Sequence, residues 1–432
     1  VSPRPLSRAV AAFLAGVRAL VGLLRRHARF PVLTEVLQHW LHEQRTVRQG
    51  VLALSIGIGI TLVAGVVLGA MDALLEELPG LLVLAPAAIG MRGAIFGALG
   101  ARLGTGMLTG QMDGSFARTS FLGRNVEAAT VLSVITAVIL AAAARLVGVI
   151  GGFETISFTD FVLISMIGTI LSSFAVLAVV IVLARTAQRQ EWDMDAIGTP
   201  IVAASADIST LPALVVGTFA VGNETASGII GWAFVVLAVT IGVLGLRTAS
   251  SSVRRIVRES LPILLYTAAM GILAGTVLES RKADLLSSVA LLVAVPPFIS
   301  SSGAIGGILS ARLSSQLHLG LLEPTSVPRR PAWLEGSLTV LFGLVGYFAV
   351  GLLTAIAAGL LGYGGPGLLP LLGVTMTAGV LALFMIFAVG YYAATASFRF
   401  GLDPDNVGIP LVTSTMDFVG ILCLTVGIVV IL

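Results

Sequence analysis

The sequence predicts an all-α polytopic membrane protein built from two copies of one five-helix unit. Three observations carry that expectation: the composition, the spacing of the apolar stretches, and a repeat at one fixed offset. Of 432 residues, 57% are hydrophobic and 11% are charged, against roughly 25% charged in soluble domains. The 50 glycines fit close helix packing in a bilayer. One cysteine, Cys423, and four scattered histidines exclude an intrachain disulfide and a zinc-finger cluster. The formal charge of +3 gives no reason to expect a nucleic-acid partner.

Residues 1–50 form the only long non-membrane segment and carry eight arginines. Val10, Phe13, Leu14, Val17, Leu20, Val21 and Leu24 recur at helical spacing beside Arg8, Arg18, Arg25 and Arg26. That pattern predicts a basic amphipathic helix on the membrane surface, with a second short helix over 33–48. A cleaved targeting peptide is the competing reading of this arginine-rich start.

Apolar stretches follow near 51–71, 82–108, 127–150, 160–184, 197–221, 228–246, 261–279, 286–316, 333–362, 367–396 and 407–432. Each is near or above the roughly 20 residues a helix needs to cross a bilayer, so eleven spans are expected. With the N-terminus in the cytoplasm, Arg118, Arg124, Arg185, Arg189, Arg247, Arg254, Arg255, Arg258, Arg329, Arg330 and Arg399 fall at cytoplasmic ends. The outer loops then hold Arg281 and Lys282 together with Asp72, Glu76, Glu77, Glu154, Asp160 and Glu224. This positive-inside pattern predicts a plasma-membrane protein with its C-terminus outside.

The repeat appears when the chain is laid on itself at an offset of 210 residues. PAAIGMRGAIFGALGARL from Pro86 meets PPFISSSGAIGGILSARL from Pro296, and DMDAIGTPIVAASAD meets DPDNVGIPLVTSTMD. Internal repeats of this kind set the fold. Five spans per unit is an odd number, so the unmatched segment 228–246 is expected to cross once more. Both units then share an orientation, related by a pseudo-two-fold along the membrane normal. The domains are therefore 1–50, a first repeat over 51–225, a connecting helix and basic linker over 226–260, and a second repeat over 261–432. The duplication supplies its own two-fold partner, which predicts a monomer acting as a pseudo-dimer.

Asp207 and Asp417 are equivalent under this offset and stand inside apolar spans. A carboxylate in hydrocarbon is costly and marks function by default. At 1.5 Å per residue each lies roughly 15 Å into its span, near mid-membrane. Two facing carboxylates repel unless a cation or proton lies between them. Ala203 and Thr413, one turn earlier on the same helix face, offer backbone carbonyls and one hydroxyl to an ion's outer shell. Pro86, Gly90, Gly93, Pro296, Pro297 and Gly303 are read as breaks in the second span of each unit, exposing carbonyls to a pore. Asp193, Asp195, Asp403 and Asp405 are expected to ring the cytoplasmic mouth and concentrate cations, or to act as a regulatory site. Arg92, whose counterpart is Ser302, is the candidate gate. It is expected either to pair with an acid or to snorkel outward.

These duplicated motifs resemble the solute carrier family 41 magnesium transporters and, through them, the membrane domain of the bacterial MgtE magnesium channel. The resemblance covers most of 51–432. It implies five spans per unit and a central path in which an aspartate of the fifth span binds hydrated Mg²⁺, here Asp207 and Asp417. Ala94 and Ala304 stand where the family carries asparagine, so each unit lacks one polar group toward metal-bound water. The large cytosolic sensing domains of the bacterial channel have no counterpart in this sequence, which leaves residues 1–50 as the expected plug or gate. Mg²⁺ keeps several waters and suits one or two carboxylates; Mn²⁺ favours similar oxygen ligands. A Na⁺- or H⁺-coupled exchanger is the alternative to a channel. Intramembrane aspartyl proteases also pair two aspartates, but their GxGD motif is absent.

Overall fold

The computed structural model describes all residues except 1–10, 20, 22–30, 112–116, 118, 191–193, 223, 249 and 402–407. It describes backbone alone at 31, 105, 108, 184, 185, 187–190, 194–200, 203 and 224. Residues 11–19 form α1, followed by α2 (Pro31–His42), α3 (Gln44–Gly69), α4 (Asp72–Glu77), α5 (Leu81–Leu108), α6 (Phe121–Gly151), α7 (Phe158–Gln190) and α8 (Met194–Thr218). The second half contains α9 (Glu224–Arg247), α10 (Ser251–Ser280), α11 (Lys282–Ser287), α12 (Val289–His318), α13 (Arg330–Leu361), α14 (Leu368–Arg399) and α15 (Ile409–Ile431). Among the described residues, ten helices are long and apolar enough to cross a membrane. The 25-residue α8, which carries Asp207, packs among them.

The 210-residue offset reappears in the backbone. The short helices α4 and α11 begin and end at equivalent positions. The left-handed caps Gly152 and Gly362 have φ of 69° and 71°, and the turn glycines Gly110 and Gly320 have φ of 69° and 70°. Side-chain-free glycine adopts this conformation without the Cβ penalty. Gly217 presses on the Ile164 carbonyl of α7, and Gly427 on the Val374 carbonyl of α14; a Cβ at either position would stand 2.8 and 2.7 Å from the respective oxygen. Small residues of this kind let membrane helices approach closely.

The first helix of each half is exchanged. α3 packs on α12 and α13 of the second half, and α10 packs on α5 and α6 of the first. Each still touches the last helix of its own half, α3 on α8 and α10 on α15. Equivalent glycines make the exchange possible: Gly65 lies against the Val293 carbonyl of α12, and Gly275 against the Val83 carbonyl of α5, with no room for a Cβ at either. The unmatched α9 packs on α6 and α7 and is the least buried of the apolar helices.

One expectation is corrected. α5 runs unbroken through Pro86, and α12 runs unbroken through Pro296 and Pro297. Each proline forgoes one backbone bond, but tight packing on neighbouring helices holds both continuous. Pro410 opens α15 within its first two residues, where a missing N–H costs nothing. α8 instead begins at Met194, ahead of Pro200.

A pair of aspartates between the two halves

Asp207 on α8 and Asp417 on α15 are brought within electrostatic range of one another. Each also reaches across to the second helix of the opposite half. The Asp417 carboxylate lies against Gly90 of α5, its Oδ2 3.2 Å from where a Cβ would sit. The Ser300 hydroxyl on α12 lies close to Asp207. Gly90 and Ser300 are themselves equivalent positions. Four helices, α5, α8, α12 and α15, therefore converge on the pair. Both residues are half-buried.

Accessibility follows one face of α12 and one of α5. On α12, residues 290–299 are buried, and an accessible stripe then runs through Ser300, Ala304, Ile308, Ala311 and Ser315 at helical spacing. The equivalent stripe on α5 holds Gly90, Ala94, Ala98 and Ala101, joined by Pro86 and Gly93. A Cβ on Gly93 would meet open space. On α12 the accessible face thus runs from Ser300 toward Arg312.

Not every residue expected on this wall is there. Pro296 and Pro297 are buried, with Pro297 turned toward Gly65 of α3. Gly303 is buried against Thr413. Their small or rigid side chains serve helix packing behind the passage. Thr413 lies one turn before Asp417, and its hydroxyl donates to its own Pro410 carbonyl at 3.2 Å. The backbone of Ala203 lies at the equivalent place on α8. Asp193, Asp403 and Asp405 lie outside the described residues; Asp195 opens α8, and its side chain is not among those described.

Arg92 is also placed differently from expectation. It neither pairs with an acid nor snorkels outward. Its guanidinium is buried and donates to Ser173 at 2.9 Å and Thr169 at 3.0 Å, both on α7. It therefore points into its own half, away from the aspartates. At the equivalent place in the second half, Tyr347 of α13 bonds Ser302 at 2.9 Å and lies on Gly379 of α14.

The sequence reading missed a charged network at the Arg312 end. Arg312 binds Glu335 of α13 and, at 3.1 Å, Glu43 at the α2–α3 junction. Gln316 donates to Glu335 at 2.6 Å, and His39 lies 3.8 Å from it. The equivalent Arg102 has one partner, Asn125 at 2.9 Å, and a buried Nη2 with no partner among the described residues. Pairing the two repeats position by position would have exposed this, because Asn125 and Glu335 are 210 apart. The segment before α3 also docks on α13, through Trp40 to Ser337 at 3.0 Å and an ion pair of Glu35 with Arg330. These contacts join the described part of this segment to the second half.

No group of three or more histidine, cysteine or acidic side chains gathers among the described residues. The two aspartates thus stand as a pair of oxygen donors, a set suited to a hard, hydrated cation. No curated protein and no solved structure shows a match to the chain. Residues 85–217 and 295–426 match the family described as MgtE, divalent cation transporter, over more than half of the chain. The two matched stretches begin 210 residues apart and each contains one of the facing aspartates; the chain belongs to the MgtE family of divalent cation transporters.

Proposed function

We propose that this protein carries Mg²⁺ across the membrane through the passage between its two halves, with Asp207 and Asp417 together holding a largely hydrated ion. The observation that carries the reading is the meeting of these two carboxylates, each against the opposite half. Two anions at this depth attract a divalent cation strongly, because little water screens them. The glycines and alanines of α5, with Ala304 of α12, leave room for an ion that keeps its waters. Mn²⁺ shares these ligand preferences and is the expected competitor.

In this reading the eleven long helices all cross the bilayer. Two five-helix repeats of the solute carrier 41 type are related by a pseudo-two-fold along the membrane normal, with α9 as connector. The basic ends lie in the cytoplasm with the N-terminus, so the passage opens inward and the C-terminus lies outside. A single chain supplies both carboxylates and works as a monomer. Membership of a transporter family sets the protease reading aside: the protein is not an enzyme.

The test is Mg²⁺ uptake into proteoliposomes. Asp207→Asn and Asp417→Asn should each lower uptake by about a hundredfold or more, the range expected when one charge of a buried ion-binding pair is lost. Uptake unchanged in both variants would sink the reading. Repeating the assay with and without a Na⁺ or pH gradient separates an exchanger from a channel.

A further inference from the structure

The aspartate pair is not symmetric, and the difference lies in one side chain on the wall. At the position where α12 carries Ser300, α5 carries Gly90. The neighbouring Ser301 and Ser302 donate to their own helix, to the Pro297 carbonyl at 2.6 Å and the Phe298 carbonyl at 2.9 Å. Those back-bonds are the usual resting place of a helical serine. Ser300 instead lies on the accessible stripe with its hydroxyl at Asp207. At the equivalent place Asp417 faces the bare backbone of Gly90.

The helices that carry the aspartates are also tied down unequally. Around Asp417, Tyr266 bonds Thr415 at 2.6 Å and Thr267 bonds Ser414 at 2.8 Å, pinning α10 to α15. The equivalent four residues between α3 and α8 are Ile56, Gly57, Ser205 and Ala204. Ser205 bonds its own helix at the Ile201 carbonyl, and Gly57 faces open space. Asp417 is thus fixed through its own helix, whereas Asp207 is oriented by a hydroxyl from across the passage.

We propose that Ser300 is a positioning and selectivity residue for the transported cation: its hydroxyl aims the Asp207 carboxylate into the passage and accepts a hydrogen bond from a water of the bound ion's shell. The inference rests on the reading of the aspartate pair as the ion site. A hydroxyl at this place favours an ion that keeps its waters. Mg²⁺ does so, whereas Ca²⁺ takes six to eight oxygens directly and sheds water readily. Ser300 therefore tilts the site toward Mg²⁺.

The experiment measures uptake of Mg²⁺ and Ca²⁺ into proteoliposomes over a concentration series for Ser300→Ala, Ser300→Gly and Ser300→Thr, with Asp207→Asn alongside. Ser300→Gly copies what the other repeat already carries, so the backbone tolerates it at the equivalent place. Loss of a hydrogen bond to a charged group predicts that half-saturating Mg²⁺ rises about tenfold in the Ala and Gly variants. The maximal rate should stay within about twofold and half-saturating Ca²⁺ within about threefold, while Ser300→Thr retains the parent values. A role in packing alone would leave both half-saturation values in place, or would penalise Thr as much as Ala; either result overturns the proposal. Should Asp207→Asn abolish uptake while Ala and Gly at 300 are silent, this inference alone falls. If Asp207→Asn is silent, the ion-site reading falls and takes this inference with it.

Discussion

In the first half, Arg92 reaches from α5 to the hydroxyls of Thr169 and Ser173 on α7. In the second half the same volume is filled from the other side. Tyr347 enters from α13, bonds Ser302 and rests on Gly379, with the Phe298 ring 4.8 Å away. The four positions changed together: Arg92, Ala137, Thr169 and Ser173 on one side, Ser302, Tyr347, Gly379 and Leu383 on the other. A large polar group with small hydroxyl partners became a small hydroxyl with a large ring. Away from the aspartates, then, the halves differ while keeping volume and polar pairing. Beside them both present an aspartate, and the facing side chains differ at Ser300 and Gly90 and at Ile308 and Ala98.

The largest effect that separates the halves should come from the two equivalent arginines. Arg312→Ala takes the guanidinium from Glu335, which is 3% exposed and keeps Gln316, and breaking such a pair costs up to about 3 kcal/mol. Arg102→Ala removes one hydrogen bond and an unpaired donor, so about 1 kcal/mol is expected. Thermal unfolding of the purified protein in detergent compares them. Equal losses would mean that the network beside α2 contributes nothing.

A second effect tests the divergence away from the aspartates. Arg92→Ser alone leaves a cavity and should destabilise by roughly 2–5 kcal/mol. Adding Ala137→Tyr, Thr169→Gly and Ser173→Leu rebuilds the second half's solution, and most of that loss should return. Mg²⁺ uptake by the fourfold variant should match the parent, since none of these side chains faces the aspartates. If uptake is altered while stability is restored, Arg92 acts on the ion after all.

The smallest effect is a pH dependence confined to one half. Burial pushes the Glu43 carboxyl up, but the Thr46 hydroxyl and the Arg312 guanidinium outweigh it and hold the group below its usual value. A lowered value means stability that is full above the ordinary carboxylate range and is lost as pH falls through the lowered value. Melting at pH 7 and at pH 4 should show a larger acid loss for the parent than for Glu43→Gln. The equivalent residue, Val253, offers the first half no such term. Identical acid losses would remove Glu43 from the account.

Much of this was legible in the sequence because the repeat is gapless. Asp207 and Asp417 announced themselves through the cost of a charge in an apolar span, and their register brought them together. The apolar stretches named the long helices for the same reason. Other features were not legible. Pro296 and Pro297 read as a helix break, because local chemistry says so, but packing on α3 overrides it. Arg92 was expected to pair with an acid or snorkel outward, yet two hydroxyls on α7 receive it. The exchange of α3 and α10 left no trace in hydropathy, since a helix against either neighbour buries the same face. Its only signal was Gly65 and Gly275, equivalent small residues whose partners cannot be named without coordinates.

That exchange constrains how the chain is made. α5 and α6 finish their packing only against α10, which the ribosome delivers after α9 has been threaded. The first half must wait in the bilayer with one flank uncovered, and α3 must wait longer still for α12. Cutting the polypeptide within the linker would therefore not release two autonomous pieces. Each fragment would hold a helix whose seat is in the other, so function would return only on co-expression of both.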